Sequence, residues 1–243
     1  MQDRPSLMIP QLSADSSAPF PDPESAMDTP DGLLAWGGDL DPVRLRNAYH
    51  NGIFPWYSDD QPILWWSPSM RCVVFPGKVH VSRRLQRLLR QQKYQLSADR
   101  AFDKVVQGCA LPRKSQDSTW ITRDMMTAYS RLHRMNIAHS IEVWENDELV
   151  GGLYGLALGR MFFGESMFSL ARDASKIALI CLCAQLAEWD FAVLDCQISN
   201  AHLESLGAEE IPRASFLSIL KTNVNRPGPG TSFRQAFQSS TRK

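Results

Sequence analysis

The spacing of apolar residues predicts amphipathic helices in the first part of the chain. Apolar positions recur three and four residues apart, as they do on one face of a helix. Two segments begin with residue types that favour the start of a helix, Asp41-Pro42 and Ser82. The helices predicted on this basis cover residues 42–49, 82–93, 99–109 and 122–135.

The pattern changes after His139, where apolar and polar residues begin to alternate and turn residues separate the alternating segments. Strands are predicted at 140–144, 149–158 and 161–163, a buried helix at 174–189, a strand at 193–197 and a helix at 199–206. An antiparallel meander followed by helix, strand and helix is the order of elements in an acyl-CoA N-acetyltransferase. The expected fold class is therefore α+β, with a mixed, largely antiparallel sheet that splays where an acyl donor meets an amine.

Proline, glycine and tryptophan suggest how the chain divides. Residues 1–30 contain six prolines and are predicted to form an irregular arm. Four of the seven tryptophans fall within 36–66, and this predicts a small aromatic-rich domain over 31–70. A catalytic domain of the acetyltransferase type is expected over 71–224. The Pro- and Gly-containing residues 225–243 are expected to be a loose tail.

Composition excludes several classes of protein. No run approaches the 18 apolar residues of a membrane-spanning helix, and the N-terminus lacks the pattern of a secretory signal, so we expect a cytoplasmic protein without a membrane partner. The five cysteines have no metal-binding spacing, and the histidines His80, His133, His139 and His202 have none either. We therefore expect free thiols, structural histidines and no metal.

Charge is strongly segregated although the net charge of the chain is zero. Residues 61–140 carry 14 bases and 4 acids, whereas the segments before and after them are acidic. The predicted helix at 82–93 places four arginines on its surface with no acid among them: Arg83, Arg84, Arg87 and Arg90. A solvated face would normally include glutamates, so binding of polyanion phosphates is the better interpretation.

At this point the chain resembles a known family, the bacterial leucyl/phenylalanyl-tRNA–protein transferases. The resemblance runs from about residue 32 to residue 216 and rests on motifs in a fixed order. These are Gly32-Leu33-Leu34-Ala35, Gly37-Gly38-Asp39-Leu40, Gly52-Ile53-Phe54-Pro55-Trp56, Ile63-Leu64-Trp65-Trp66-Ser67-Pro68, Thr119-Trp120-Ile121-Thr122, His139-Ser140-Ile141-Glu142-Val143-Trp144, Gly164-Glu165-Ser166-Met167-Phe168-Ser169, Asp195-Cys196-Gln197, Leu206-Gly207-Ala208 and Glu210-Ile211-Pro212-Arg213.

The resemblance implies that Leu or Phe, with Met as a further donor, passes from aminoacyl-tRNA to proteins that begin with Arg or Lys and so marks them for degradation. It also implies a small N-terminal domain on an acetyltransferase-like domain. An aminoacyl ester is already activated, so the chemistry needs no cofactor. It needs a neutral amine near the carbonyl and stabilisation of the oxyanion. A monomer is the expected state.

Three polar residues are candidates for this chemistry. Asp195 and Gln197 are two apart on a predicted strand and should project to one face, where Asp195 could orient Gln197 or accept a proton and Gln197 could hold the amine. A turn or cap role is the alternative for Asp195. Glu165, among aromatic residues, needs a cationic partner, and the acceptor's Arg or Lys offers one. The alternative for Glu165 is a salt bridge to Arg160 or Arg172.

Other sites follow from the resemblance. It implies an apolar slot for the transferred side chain at Leu153, Phe162, Leu179 and Leu182. Leu153 and Leu182 stand where we expect Met and Phe, so the preference among donors is open. It also implies binding of the tRNA's terminal adenosine at Trp56 and Trp120, with Tyr49 and Tyr129 as weaker candidates.

Two other functions are compatible with parts of the pattern. One is an acyl-CoA-dependent N-acetyltransferase, but residues 169–175 contain no glycine that could cradle a pyrophosphate, and an acid stands at the helix start. The other is a non-enzymatic RNA-binding module built on the basic helix and the tryptophans.

Overall fold

The computed structural model describes residues 9–111 and 121–240, and of residues 238–240 only the backbone. Within these residues the strands form a small sheet of order β1-β2-β4-β3 and a larger sheet of order β11-β5-β10-β9-β8-β7-β6. The strands are β1 Gln11–Leu12, β2 Leu33–Gly37, β3 Phe54–Pro55, β4 Leu64–Trp66, β5 Met70–Val74, β6 Gln95–Ala98, β7 Ala138–Glu145, β8 Glu148–Leu158, β9 Met161–Ser169, β10 Val193–Gln197 and β11 Glu209–Pro212.

The helices that the apolar spacing predicts are present, and two more lie beyond them at 213–223 and 233–240. They are α1 Pro42–His50, α2 Arg83–Arg90, α3 Phe102–Ala110, α4 Arg123–Arg134, α5 Ala174–Glu188, α6 Ala201–Glu204, α7 Arg213–Asn223 and α8 Phe233–Ser240. The predicted caps are present, since the side chain of Asp41 accepts from Val43 N at 2.9 Å and that of Ser82 from Leu85 N at 3.4 Å. The second helix ends three residues earlier than predicted, and Gln92 just beyond it adopts a left-handed φ of 48°.

The larger sheet is mixed because one pair of strands is parallel. Strands β9 and β10 run in the same direction and pair only from Met161–Val193 to Phe163–Asp195, whereas β9 continues to Ser169. The two strands therefore part beyond Phe163. The other pairs in this sheet are antiparallel. This confirms the predicted α+β class with a mixed, largely antiparallel sheet.

Apolar side chains cover both faces of the larger sheet. The α5 helix, which connects β9 to β10, packs its buried residues against one face, and α3 and α4 pack against the other. α5 is apolar on most sides, as expected of a helix that is buried rather than half-exposed. Among the described helices, none combines the length and apolarity that a bilayer crossing requires.

The chain ends outside the predicted domains differ from the expectation. The prediction of a loose tail is wrong for residues 233–240, because α8 buries Phe233 and Phe237 against the larger sheet, and the ring of Phe233 stacks on His139 at 4.0 Å. Residues 9–30 contain little regular structure, but Ile9 O accepts from the indole of Trp36. The domain boundaries themselves stay a prediction.

The turn at Gly52 contacts the larger sheet. Gly52 follows α1 with a left-handed φ of 73°, and a Cβ atom there would lie 2.7 Å from the side chain of Leu217. Only glycine fits both conditions without strain. Its carbonyl accepts from Arg71 Nη1 at 3.0 Å, so this turn is tied directly to β5.

Candidate active site

A cavity of about 860 Å³ opens where β9 and β10 part. One wall is formed by residues 164–170 of β9 and the turn after it, and the opposite wall by Leu194 and residues 196–198 at the end of β10. The cavity therefore lies where the sequence predicts that an acyl donor meets an amine. Its volume is large enough for more than one amino-acid side chain.

Glu165 places a carboxylate in this cavity. The hydroxyls of Tyr49 and Tyr129 donate to its two oxygens at 2.7 and 2.8 Å, and the two hydroxyls lie 2.5 Å from each other. Burial raises the pKa of Glu165 to about 7, while the tyrosine hydrogen bonds act in the opposite direction. Within the described residues no ion pair joins Glu165 to Arg160 or Arg172. A desolvated carboxylate without a cation is a site at which a cationic ligand gains strongly.

Tyr49 and Tyr129 do not occupy the position predicted for them. Both rings are fully buried, so neither offers a face on which an adenine could stack in this conformation. Their hydroxyls instead orient Glu165. The expectation of base stacking on these two rings is therefore wrong for this packing.

The four predicted slot residues belong to one apolar cluster, but only two of them reach the cavity. Leu153 of β8 and Leu179 of α5 line it, and their side chains are apolar whereas that of Glu165 is ionisable. Phe162 and Leu182 are fully buried and are not among the lining residues. Their side chains pack behind the lining residues and do not themselves line the cavity.

Asp195 lies beneath the cavity and not in its wall. Its carboxylate is fully buried and accepts from Arg71 Nε at 2.8 Å and Nη2 at 2.7 Å, a paired arrangement that fixes both groups. The guanidinium of Arg71 also lies over the rings of Phe54 and Phe216, at 4.8 and 4.5 Å from their centroids. The charge of Asp195 is therefore already paired with that of the buried Arg71.

Gln197 lines the cavity, and a β-bulge that strand alternation does not predict precedes it. Asp195 pairs with Val73 and Gln197 with Cys72, so both Cys196 and Gln197 stand opposite Cys72, and Gln197 adopts a left-handed φ of 58°. This bulge makes the prediction of a shared face wrong. The two residues remain linked, because Gln197 N donates to Asp195 Oδ1 at 3.0 Å. In the orientation that satisfies its hydrogen bonds, the Gln197 amide donates to Gly164 O at 2.9 Å and so bridges the two walls.

The clustered tryptophans divide into structural and exposed rings. Trp65 is fully buried, and its indole donates to Gly37 O at 2.9 Å. Trp56 is 42% exposed and packs one side against Trp66, whose indole donates to Trp56 O. Trp56 is thus an aromatic ring with a free face, as stacking on a base requires. Trp120, predicted to act with it, lies outside the described residues.

The basic helix α2 exposes all four of its arginines. Arg84 is engaged with Asp173 at 2.7 Å, whereas Arg83, Arg87 and Arg90 form no ion pair within the described residues. Asp173 is the residue before α5, so a negative charge stands at the N-terminus of this helix, the end at which helices bind anions. Three arginines of α2 remain available to a polyanion.

His133 and His139 have structural surroundings, whereas His202 lines the cavity. His139 Nδ1 lies 2.9 Å from Asp99 Oδ2, and His133 Nδ1 lies 2.8 Å from Ala138 O while its ring stacks on Phe102. In the described part of the chain no three His, Cys, Asp or Glu residues are grouped as metal ligands would be.

Two residues at or beside the site, Arg71 and Tyr154, were not predicted from the sequence. Arg71 could have been found, because a lone arginine in the apolar strand Met70–Val74 requires a buried acid. Tyr154 lines the cavity, is fully buried and has a hydroxyl without a hydrogen-bond partner among the described residues. Its sequence context, a strand of small and apolar residues, carries no comparable signal.

The splayed mixed sheet holds one cavity that is lined by apolar side chains and by a desolvated carboxylate, an arrangement suited to an acyl-transfer site. Comparison with known proteins agrees. The family model described as leucyl/phenylalanyl-tRNA protein transferase matches residues 73–221, and the model of that family's N-terminal domain matches residues 38–69. The chain belongs to the leucyl/phenylalanyl-tRNA–protein transferase family, and it is an aminoacyltransferase that acts on proteins.

Curated relatives cover nearly the whole chain. The transferase of Stutzerimonas stutzeri (strain A1501) is 55% identical over 208 residues, which are 86% of this chain and 92% of that one. The transferase of Hahella chejuensis (strain KCTC 2396) is 58% identical over 205 residues, 84% of this chain and 88% of that one.

Solved structures give weaker matches. L-PGS from Bacillus licheniformis is 10% identical with a TM-score of 0.42, over 80% of this chain and 74% of that one. A GCN5-related N-acetyltransferase from Kribbella flavida is 11% identical with a TM-score of 0.36, over 71% and 61%. The fold class stated above rests on the strands and helices of this chain.

Proposed function

We propose that this enzyme transfers Leu or Phe, and Met to a smaller extent, from aminoacyl-tRNA to the α-amine of proteins that begin with Arg or Lys. The peptide bond formed marks the protein for degradation, and because the donor is a tRNA we place the reaction in the cytoplasm. The observation that carries the proposal is the cavity itself, which is lined both by the carboxylate of Glu165 and by the apolar side chains of Leu153 and Leu179. The apolar side chains suit an apolar acyl group, and the carboxylate suits a cation.

Glu165 binds the side chain of the acceptor's first residue. A guanidinium or ammonium group restores the charge partner that burial denies to this carboxylate, so binding and ionisation of Glu165 are coupled. Neutral or acidic first residues would leave the carboxylate without a cation. Selectivity for Arg and Lys follows from this difference.

Gln197 and Asp195 have different roles in the proposal. Gln197, which lines the cavity, positions the attacking amine beside the ester carbonyl. Asp195 acts through its neighbours, because its carboxylate holds Arg71 and the main-chain N–H of Gln197 and is absent from the cavity wall. We therefore treat Asp195 as a positioning residue and assign proton transfer from the amine to other groups, water included.

The donor tRNA lies across the exposed basic and aromatic surface. Arg83, Arg87 and Arg90 supply phosphate contacts, with Arg84 shared between phosphate and Asp173. Trp56 stacks on the terminal adenosine, for which its exposed ring is suited, and Trp120 is proposed to act with it.

Transfer of radiolabelled Leu from Leu-tRNA to a peptide tests the function. Peptides that differ only in the first residue, Arg, Lys, Ala or Glu, are incubated with enzyme and donor, and acid-stable label that resists RNase is counted. We expect label with Arg and Lys and little with Ala or Glu. Equal labelling of all four would refute the proposed acceptor, and binding of tRNA with no labelling would favour the RNA-binding alternative.

A further inference from the structure

Two cysteines meet at the bulge that places Gln197 in the cavity. In the register of β5 and β10, Asp195 pairs with Val73 and Gln197 with Cys72, so the bulge leaves Cys196 as a second residue opposite Cys72. The two side chains lie close enough for each thiol to shift the pKa of the other, lowering that of Cys72 and raising that of Cys196. The two sulfurs are therefore side by side, although both cysteines are free thiols.

The positions of the two residues allow a disulfide bond. Disulfides span Cα separations of about 4.4–6.8 Å, and residues of neighbouring antiparallel strands that lie opposite each other fall within this range. In the bulge, Cys196 shares the position opposite Cys72 with Gln197. Cys72 is fully buried, whereas Cys196 is half-buried and lines the cavity. A small oxidant that enters the cavity therefore reaches one sulfur of the pair directly.

The other cysteines do not share these features. Burial raises the pKa of the Cys181 thiol to about 11 and that of the Cys183 thiol to about 12, and both lie on α5 rather than opposite another cysteine on a neighbouring strand. Cys109 is buried on α3, on the opposite face of the larger sheet. The interaction between Cys72 and Cys196 lowers the pKa of Cys72 and raises that of Cys196, so Cys72 is the thiol of the pair that ionises more readily.

We propose that Cys72 and Cys196 form a redox modification site at which a hydroperoxide converts the thiol pair to a disulfide and thereby inactivates the enzyme. One sulfur takes an oxygen of hydrogen peroxide as the O–O bond breaks, which gives a sulfenic acid and water. The second thiol attacks that sulfur, the S–O bond breaks, the S–S bond forms, and the thiol proton leaves in a second water. Two thiols lose two electrons and two protons in total.

The bond acts on catalysis through the backbone. It would draw Cys196 closer to β5, and this movement passes to the adjacent Gln197, which has a left-handed conformation in the bulge. Displacement of Gln197 changes the wall that faces Gly164 and the reacting amine. This effect on transfer rests on the proposed role of Gln197, whereas formation of the disulfide does not.

Peptide mapping with an activity assay tests the site. The protein is treated with stoichiometric hydrogen peroxide, remaining thiols are alkylated, and the unreduced digest is analysed by mass spectrometry. We expect a linked Cys72–Cys196 peptide and a loss of Leu transfer on the order of tenfold or more, both reversed by dithiothreitol. Cys72→Ala should start with normal activity and show neither the linked peptide nor a dithiothreitol-recoverable loss, and Cys181→Ala should behave as the unmodified protein does.

Three results would overturn the inference. The first is recovery of both residues as alkylated thiols after complete reaction with peroxide. The second is an equal, recoverable loss of activity in Cys72→Ala. The third is a linked peptide with unchanged transfer. Mapping of the unmodified sequence decides bond formation even if Cys72→Ala fails to fold, and Gln197→Ala without peroxide tests separately whether that residue matters for transfer.

Discussion

Replacement of Glu165 by glutamine should make the free protein more stable at alkaline pH. Burial raises the pKa of Glu165 from 4.5 to about 7 in the folded protein. The folded state therefore holds this proton more tightly than the unfolded chain does, and the stability cost of the ionised group appears as pH rises from about 4.5 and is complete above about 7. A shift of this size corresponds to a cost of about 3 kcal/mol.

Glu165→Gln removes that ionisation and retains the shape of the side chain. Part of the gain is lost because the hydroxyls of Tyr49 and Tyr129 then donate to a neutral group, and hydrogen bonds to charged groups are stronger. We expect the variant to be about 1–3 kcal/mol more stable than the unmodified protein at pH 8. At pH 4.5 the difference should approach zero.

Urea unfolding at pH 4.5, 6, 7 and 8 measures this free energy directly. Glu148→Gln, which changes an exposed carboxylate on β8, is the matched control and should show no such dependence on pH. The reasoning is refuted if Glu165→Gln is less stable than the unmodified protein at pH 8. It is refuted equally if the difference between the two is the same at every pH.

Three further variants test other parts of the site. Neutralisation of Arg87 and Arg90 should raise the KM for aminoacyl-tRNA, and the log–log slope of binding against salt concentration should fall by about 0.7–0.9 per lost contact. A minimal aminoacyl-adenosine donor should be used normally. Equal losses with both donors would contradict phosphate binding. Leu179→Ala should favour Phe over Leu donors by roughly 1–3 kcal/mol in kcat/KM, and Leu182→Phe should change this ratio less, because Leu182 does not line the cavity; the opposite order would place Leu182 in the slot. Asp195→Ala should destabilise the protein by about 3–5 kcal/mol, since Arg71 is left buried without its partner. Adding Arg71→Met to that variant should restore part of the lost stability. An unchanged Tm in Asp195→Ala would show that the pair is not structural.

Most secondary structure could be predicted because local pattern determines it. The helices α1 to α5 and the meander β7–β9 follow from apolar spacing, caps and turn residues. Helices α7 and α8 were not predicted; α8 follows Pro227 to Gly230 and has a short apolar face that only the sheet completes. The position of β5 between β10 and β11 depends on long-range pairing, which no local pattern contains.

The site was predictable in composition but not in geometry. The polar residues Glu165 and Gln197 do line one cavity with Leu153 and Leu179, as the motifs indicate. Period-two alternation failed between Asp195 and Gln197, because a bulge depends on the partner strand as much as on its own residues. Burial of the tyrosines that hold Glu165 is likewise a property of packing between α1, α4 and β9, which lie far apart in sequence.

Charge recognition by Glu165 is the central claim, and a neutral analogue of arginine tests it most directly. Citrulline has nearly the shape of arginine but no charge, so two peptides that differ only in this first residue isolate the ionic contribution. The measurement is the ratio of kcat/KM for the arginine and citrulline peptides, in the unmodified enzyme and in Glu165→Gln. We predict a ratio on the order of 10² or more in the unmodified enzyme that falls close to one in Glu165→Gln. The same ratio in both enzymes would show that Glu165 does not select the acceptor.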